Sequence, residues 1–191
     1  MARRGPYEKG EAKRKEILQV ALEIFAQEGY RGTSLRKVAA RCSISLPGLM
    51  HYFDSKEDLL TQVLRARDES ARARHAEFSG AETYREIIQE GADTPGLVEL
   101  FVSMAAAASD PDHPAHALFA ERYAAIRPHV TEYLRRRMEE GAIRTDLPAE
   151  RIAVILVALA DGVQLQWLTD RSFDMQQPIS DVMALLAPDG A

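Results

Sequence analysis

Cysteine is almost absent from the 191-residue chain, where Cys42 stands alone. One thiol cannot close an internal disulfide and is too few for a thiolate metal site, which fits a reducing compartment. Long hydrophobic runs are also missing. The longest uninterrupted apolar stretch is the nine residues from Ile152 to Ala160, whereas a membrane span takes about 20. No transmembrane helix and no membrane partner are therefore expected. No apolar stretch follows the basic N-terminus, so residues 1–16 do not read as a secretory signal, and the expected location is the cytoplasm. Strict alternation of apolar and polar residues is missing too, which excludes half-buried strands. There is no nucleophile elbow, phosphate loop or zinc-protease motif. The expectation is a protein that is not an enzyme and takes no cofactor.

Net charge is -5, which as a total argues against a polyanionic partner. Its distribution argues the other way. Residues 1–52 carry ten Lys or Arg against five Glu, and the remainder carries fourteen basic against twenty-four acidic groups. A basic end on an acidic chain points to nucleic acid, although a solvated basic helix has the same composition.

What is present is helical periodicity, and the fold class is all-α with about nine helices. Ile17, Leu18, Ala21, Leu22 and Phe25 form one stripe of a first helix over about 11–28, and Gly29 is its natural stop. Thr33 is placed to cap a short second helix through Arg41 with Leu35, Val38 and Ala39 inward. After a turn at 42–44, Ser45 caps a third helix of about seven residues ending near Tyr52. Ser55 and Asp58 make an S-x-x-D capping box that opens a long fourth helix. Farther on, Thr94-Pro95 starts a helix. Pro128 is expected to kink or split the stretch 115–140, and further helices cover 148–169 and 180–186.

Two short helices meeting at a tight turn, with small Ala39 in the first and Ile44 and Leu49 behind the turn, meet the steric demands of a helix-turn-helix. The surrounding run carries a family likeness. Ile24-Phe25-Ala26-Gln27-Glu28-Gly29-Tyr30-Arg31-Gly32-Thr33-Ser34, then Leu35-Arg36-Lys37-Val38-Ala39, Ile44-Ser45 and Phe53-Asp54-Ser55-Lys56-Glu57-Asp58-Leu59-Leu60 resemble the DNA-binding domain of TetR-family transcriptional regulators. The likeness covers about 11–71, with the motif itself at about 34–53. Asp161-Gly162-Val163-Gln164-Leu165-Gln166-Trp167-Leu168 resembles the dimerising C-terminal region of the betaine-inhibitor-type repressor branch. Residues 72–191 are then expected to form a ligand-binding and dimerisation domain. The resemblance implies a sequence-specific regulator, in the commoner case a homodimeric repressor released from double-stranded, palindromic operator DNA by a small-molecule effector.

Two positions depart from the family pattern. Ser43 stands where the family usually has Gly in the turn, so a left-handed conformation is less free. Met50 stands at the usual phosphate-binding tyrosine position, leaving Tyr52 or His51 to substitute. Leu49, Tyr52 and Phe53 form the inward set of the third helix, and Leu46, Pro47, Met50 and His51 the outward one, with Gly48 a bare backbone patch. These side chains offer no bidentate Arg or Asn pairing, so readout is expected from His51, from apolar contact with thymine methyls and from DNA shape. Phosphate contacts are expected from Thr33, Ser34, Lys37, Ser45, Tyr52 and Lys56. The serines and threonine serve equally as plain helix caps. Arg3, Arg4, Lys9, Lys13, Arg14 and Lys15 form a basic arm that either reaches the DNA backbone or is simply solvated.

In the helix at 148–169, Ile152, Leu156, Leu159, Val163 and Trp167 make one stripe and Ile155, Ala158, Gly162 and Leu165 a second. Such a helix is buried on two sides, within its own domain and against a second copy, or in the centre of a monomer. Ile155, Leu159, Gly162, Val163 and Gln166 are the candidate dimer contacts. Phe101, Met104, Phe119, Tyr123 and Trp167 are candidate liners of a site for a partly apolar effector, although aromatic and Met residues at helical spacing are more often plain core. Asp110, Asp112, His113 and His116 lie close enough to suggest metal ligands, but beside Pro111 and Pro114 they read as caps of a loop, and no metal site is expected.

Overall fold

The computed structural model describes residues 6–32, 34–74, 86–87 and 90–188. Among them eight helices have both ends defined, and no strand occurs. They are α1 (Pro6–Gly32), α2 (Leu35–Arg41), α3 (Leu46–Met50), α4 (Lys56–Arg74), α5 (Pro95–Ala107), α6 (Ala115–Glu139), α7 (Ala149–Thr169) and α8 (Gln177–Leu185). The chain divides into two compact units, one of Met1–Ala71 with Thr94–Leu118 and the other of Arg72–Asp93 with Phe119–Ala191. The unit that carries the helix-turn-helix thus also includes α5, which lies beyond residue 71.

In the first unit Ile17, Ala21, Ile24 and Phe25 of α1 are buried, and α1 packs extensively on α5. Leu97, Val98, Leu100, Phe101 and Met104 are buried along α5. Each such Leu, Ile or Phe contributes about 1.5–3 kcal/mol. Helix α1 begins at Pro6, five residues before its first expected residue, and the added stretch PYEKG opens on a proline, which suits the first helical position. At Gly29 the backbone leaves helical geometry, with φ 75° and ψ 173°, as expected of the stop. Gly91 is helical, and the break before α5 falls at Thr94.

In the second unit Val130, Leu134, Ile143, Ile152, Leu156, Val157 and Leu186 form the core, with Tyr133, Met138, Val182 and Met183 packed against it. Helix α6 runs continuously through Pro128, so of the expected kink or split the split does not occur. Pro128 and Ala124 are both exposed, so water can serve the carbonyl that proline leaves without its helical partner. Gly141 ends α6 at φ 70°. There the Gly141 amide donates to Met138 and the Ala142 amide to Arg137, a Schellman closure.

Helix α7 corrects an expectation drawn from uninterrupted runs. It has 21 residues and contains an 18-residue window of mean hydropathy 1.6, so it is long and apolar enough to cross a membrane by length and composition. Asp161 breaks the apolar run but not the helix. Ile152, Ala153, Leu156, Val157, Ala160, Val163 and Trp167 are nevertheless buried in the protein, and Asp161 accepts a hydrogen bond from Tyr123 of α6. Two elements of a protein core therefore account for one face of the helix.

Candidate nucleic-acid interface

Two serine caps frame the interface. The Ser34 hydroxyl accepts a hydrogen bond from the Lys37 amide at 3.3 Å and so caps α2. Thr33, expected in that role, lies outside the described residues. The Ser45 hydroxyl accepts from the Gly48 amide at 3.1 Å and caps α3. A Cβ on Gly48 would come within 3.2 Å of that hydroxyl, so glycine keeps the cap open. Both serines are exposed, which leaves their oxygens and the adjoining helix N-termini within reach of a phosphate.

Between the caps lies the turn. Cys42 is the C-cap of α2, and Ser43 follows at φ 55°, the non-glycine residue with positive φ among the described ones. The Ser43 amide donates to Ala40 at 3.1 Å and the Ile44 amide to Ala39 at 3.0 Å. This is the Schellman closure seen at Gly141, built here on serine. Cys42 is buried, and burial pushes its thiol above the ordinary value.

Helix α3 is five residues long, shorter than the expected seven, and His51 is its C-cap. Leu49 and Phe53 are buried, as the inward set requires. Tyr52, placed in that set, is only half-buried and meets His51 edge-on at 5.8 Å. Pro47 and His51 are exposed, while Leu46 and Met50 are half-buried. Lys37 is paired with the Glu28 carboxylate at 2.5 Å. Lys56 opens α4 and is half-buried. At that junction the Ser55 hydroxyl accepts from the Asp58 amide at 3.0 Å, and Asp58 in turn accepts from the Asp54 amide at 3.1 Å. The reciprocal bond thus lands one residue earlier than in a standard capping box.

Part of the expected basic arm is a rigid piece of this head. Lys9, Lys13, Arg14 and Lys15 lie on α1, while Arg3 and Arg4 fall outside the described residues. Lys13 donates to the Cys42 carbonyl at 2.7 Å and to Glu16 at 2.8 Å. Its hydrogen bond to Glu16 holds the ammonium above its ordinary pKa. The Arg14 guanidinium lies 5.3 Å over the Phe53 ring. Sequence spacing gave no hint of these contacts, since Lys13 and Cys42 are 29 residues apart. The signal available was the missing glycine at Ser43, which implied that something else holds the turn.

The remaining candidates divide between the two units. Phe101 and Met104 are buried in the first, and Phe119 and Trp167 in the second. Tyr123, half-buried in the second, lies 6.2 Å from Phe119 ring to ring and donates to Asp161 at 2.6 Å. Burial raises the pKa of Tyr123, the bond to Asp161 adds to that, and burial likewise raises Asp161. Arg171 covers the Trp167 ring at 3.7 Å. An open groove of about 680 Å³ in the second unit is lined instead by Arg127, His129, Glu132, Arg135, Glu150 and Val154 among others.

Of the dimer candidates, Ile155 is 52% exposed and Gln166 is exposed, while Leu159 and Gly162 are half-buried. Val163 is 0% exposed and is spent within its own unit, so it is not available to a partner. Val154 and Leu165, at 49% and 55%, complete the outward face of α7 instead. In the 109–114 loop, Asp110 accepts from the Asp112 amide, His113 accepts from the Ala115 amide, and the His116 ring bonds the Ala108 carbonyl. Among the described residues no group of three or more metal-ligating side chains comes together.

The chain's likeness to known proteins falls on the same two regions. Residues 17–63 match the family model of bacterial regulatory proteins, tetR family, and residues 81–187 match that of the BetI-type transcriptional repressor, C-terminal. The HTH-type transcriptional repressor KstR2 of Rhodococcus jostii is 28% identical over 154 residues, covering 72% of this chain and 71% of that protein. The repressor AcnR of Corynebacterium efficiens is 26% identical over 173 residues, 89% of each chain. A transcriptional regulator from Saccharomonospora viridis, crystallised in complex with choline, shares the fold at TM-score 0.71 and 23% identity, over 91% of this chain and 96% of its own. The second family match spans more than half of the sequence, and with the serine-capped helix-turn-helix it makes this chain a member of the TetR family, a DNA-binding transcriptional repressor with a BetI-type C-terminal region.

Proposed function

We propose that the protein acts in the cytoplasm as a homodimer on a palindromic operator, from which a small, partly apolar effector releases it. The observation that carries this reading is the outward face of α7. Val154, Ile155 and Leu165 are about half exposed on a helix whose opposite face is fully spent in its own core. An apolar stripe of that kind favours a second copy, and a two-fold dimer presents two identical heads to two half-sites. In functional terms we divide the chain into a DNA-reading part at 11–71 and an effector and dimer part at 72–191.

Within each head, Ser34 and Ser45 with Lys37, Lys56 and Tyr52 contact phosphates, and Thr33 joins them. Leu46, Pro47, the Gly48 backbone and His51 face the bases. For the effector, Phe119, Tyr123 and Trp167 supply aromatic surface in the second unit, and the choline complex of the S. viridis relative supports a small molecule as the class. The ligand needs only to bind one arrangement of the dimer better than the other. Light scattering, a mobility shift with selected DNA and a thermal-shift screen of small apolar compounds test this together. A dimer mass, a shifted duplex and stabilisation by a compound that also weakens the shift are expected. A monomer at micromolar concentration overturns the dimer. Absence of any stabilising compound favours a regulator that answers to another protein.

A further inference from the structure

We infer that Lys13 is a positioning residue for DNA recognition: its ammonium holds the Cys42 carbonyl and thereby fixes the left-handed Ser43 turn that aims α3. Cys42 and Ser43 share a peptide unit, so the direction of the Cys42 carbonyl and the φ of Ser43 cannot change independently. The α6 terminus makes the same closure on Gly141 at φ 70°, a conformation that glycine adopts without strain. Ser43, at φ 55°, lies in a region that a residue with a Cβ enters at a cost. Lys13 donates to that carbonyl at 2.7 Å from α1, and a cation at the C-terminal end of α2 also suits the helix dipole. The Arg14 guanidinium over Phe53 braces the segment that follows α3 from the same turn of α1. A basic side chain that looks like a phosphate contact is thus directed into the protein, and it acts on the DNA through the turn.

The inference rests on the DNA-reading role of this head, so its test has one arm that needs no DNA. Amide hydrogen exchange at Ser43 and Ile44 is compared in the wild type, Lys13→Met, Lys13→Arg, Ser43→Gly and the double variant Lys13→Met/Ser43→Gly. Losing a charge-assisted bond predicts about tenfold faster exchange in Lys13→Met, with return toward wild type in Lys13→Arg and in the double variant. In the second arm, binding to a selected operator is followed against salt. Lys13→Met lowers affinity about three- to tenfold with an unchanged slope of log affinity against log salt, because no phosphate contact is lost. Ser43→Gly restores that affinity.

Unchanged exchange in Lys13→Met overturns the clamp. A slope smaller by about one unit makes Lys13 a phosphate ligand and also overturns it, as does a double variant no better than Lys13→Met. If the wild type selects no DNA, the proposed operator binding fails, while the exchange arm still decides whether Lys13 holds the turn.

Discussion

Gly96 of α5 meets Gly29 at the end of α1 backbone to backbone. A Cβ built on Gly96 would lie 1.9 Å from the Phe25 carbonyl oxygen and 2.8 Å from the Gly29 Cα. No flexible side chain can yield there, since both neighbours are main chain. Gly96→Ala is therefore expected to destabilise the first unit by at least the roughly 1–3 kcal/mol typical of overpacking. Gly29→Ala adds a Cβ at φ 75° and ψ 173°, a region essentially confined to glycine, and brings it within 2.7 Å of the Glu99 carboxylate, so it costs about 1–3 kcal/mol. Denaturant unfolding of both variants measures this, and a Gly96→Ala midpoint equal to that of the wild type would contradict the packing described.

The outward face of α7 predicts an effect on assembly rather than on folding. Ile155 and Leu165 are more than half exposed in the single chain, so a charge at either position leaves the fold intact. Ile155→Glu and Leu165→Glu are expected to yield monomers of wild-type helicity by light scattering and circular dichroism. Val163→Glu, at a position fully buried in its own unit, is expected to unfold it instead, because a buried unpaired carboxylate is very costly.

Tyr123 and Asp161 give the second unit a pH dependence of fixed sign. Burial raises both pKa values in the folded state, so the folded chain holds each proton more tightly than the unfolded one. Stability from Asp161 is then present below the ordinary carboxylate range and lost as pH rises through its raised value. That from Tyr123 is present below about pH 10 and lost above it. Asp161→Asn should flatten the acid side of the stability profile and Tyr123→Phe the alkaline side, as read from unfolding midpoints across pH. Parallel profiles for wild type and variants would exclude this coupling.

The proposed phosphate contact of Lys37 sets DNA in competition with Glu28, which holds the same ammonium in the free protein. Their ion pair is partly exposed, so it contributes little stability of its own. Lys37→Ala is expected to reduce the salt slope of DNA binding by about one unit. Glu28→Gln releases the ammonium and removes a negative charge beside the duplex, so affinity at low salt should rise. Fluorescence anisotropy titrations at several salt concentrations measure both effects.

Much of the head was legible in the sequence because its elements are punctuated by residues with one physical role. Gly29 breaks the helical backbone of α1, Ser45 caps α3 and Ser55 opens α4, and the structure places each accordingly. The start of α1 was hidden because PYEKG has no apolar periodicity to mark it and Gly10 is a poor helix former. Val163 was assigned to a partner because α7 is apolar on two faces, and spacing alone does not tell which face the chain covers itself. The contacts of Lys13 with Cys42 and of Gly96 with Phe25 join distant segments, so no local pattern announces them. Pro128 signals a break, yet an exposed carbonyl on α6 lets the helix continue.

In vitro selection of bound genomic fragments, run in parallel with the wild-type protein and a Leu46→Ala/His51→Ala variant, tests the central claim most directly. The wild type is expected to enrich an inverted repeat, and the variant to bind with the same salt slope but a changed base preference in each half-site. Enrichment of no common sequence, or of the same sequence by both proteins, would contradict it.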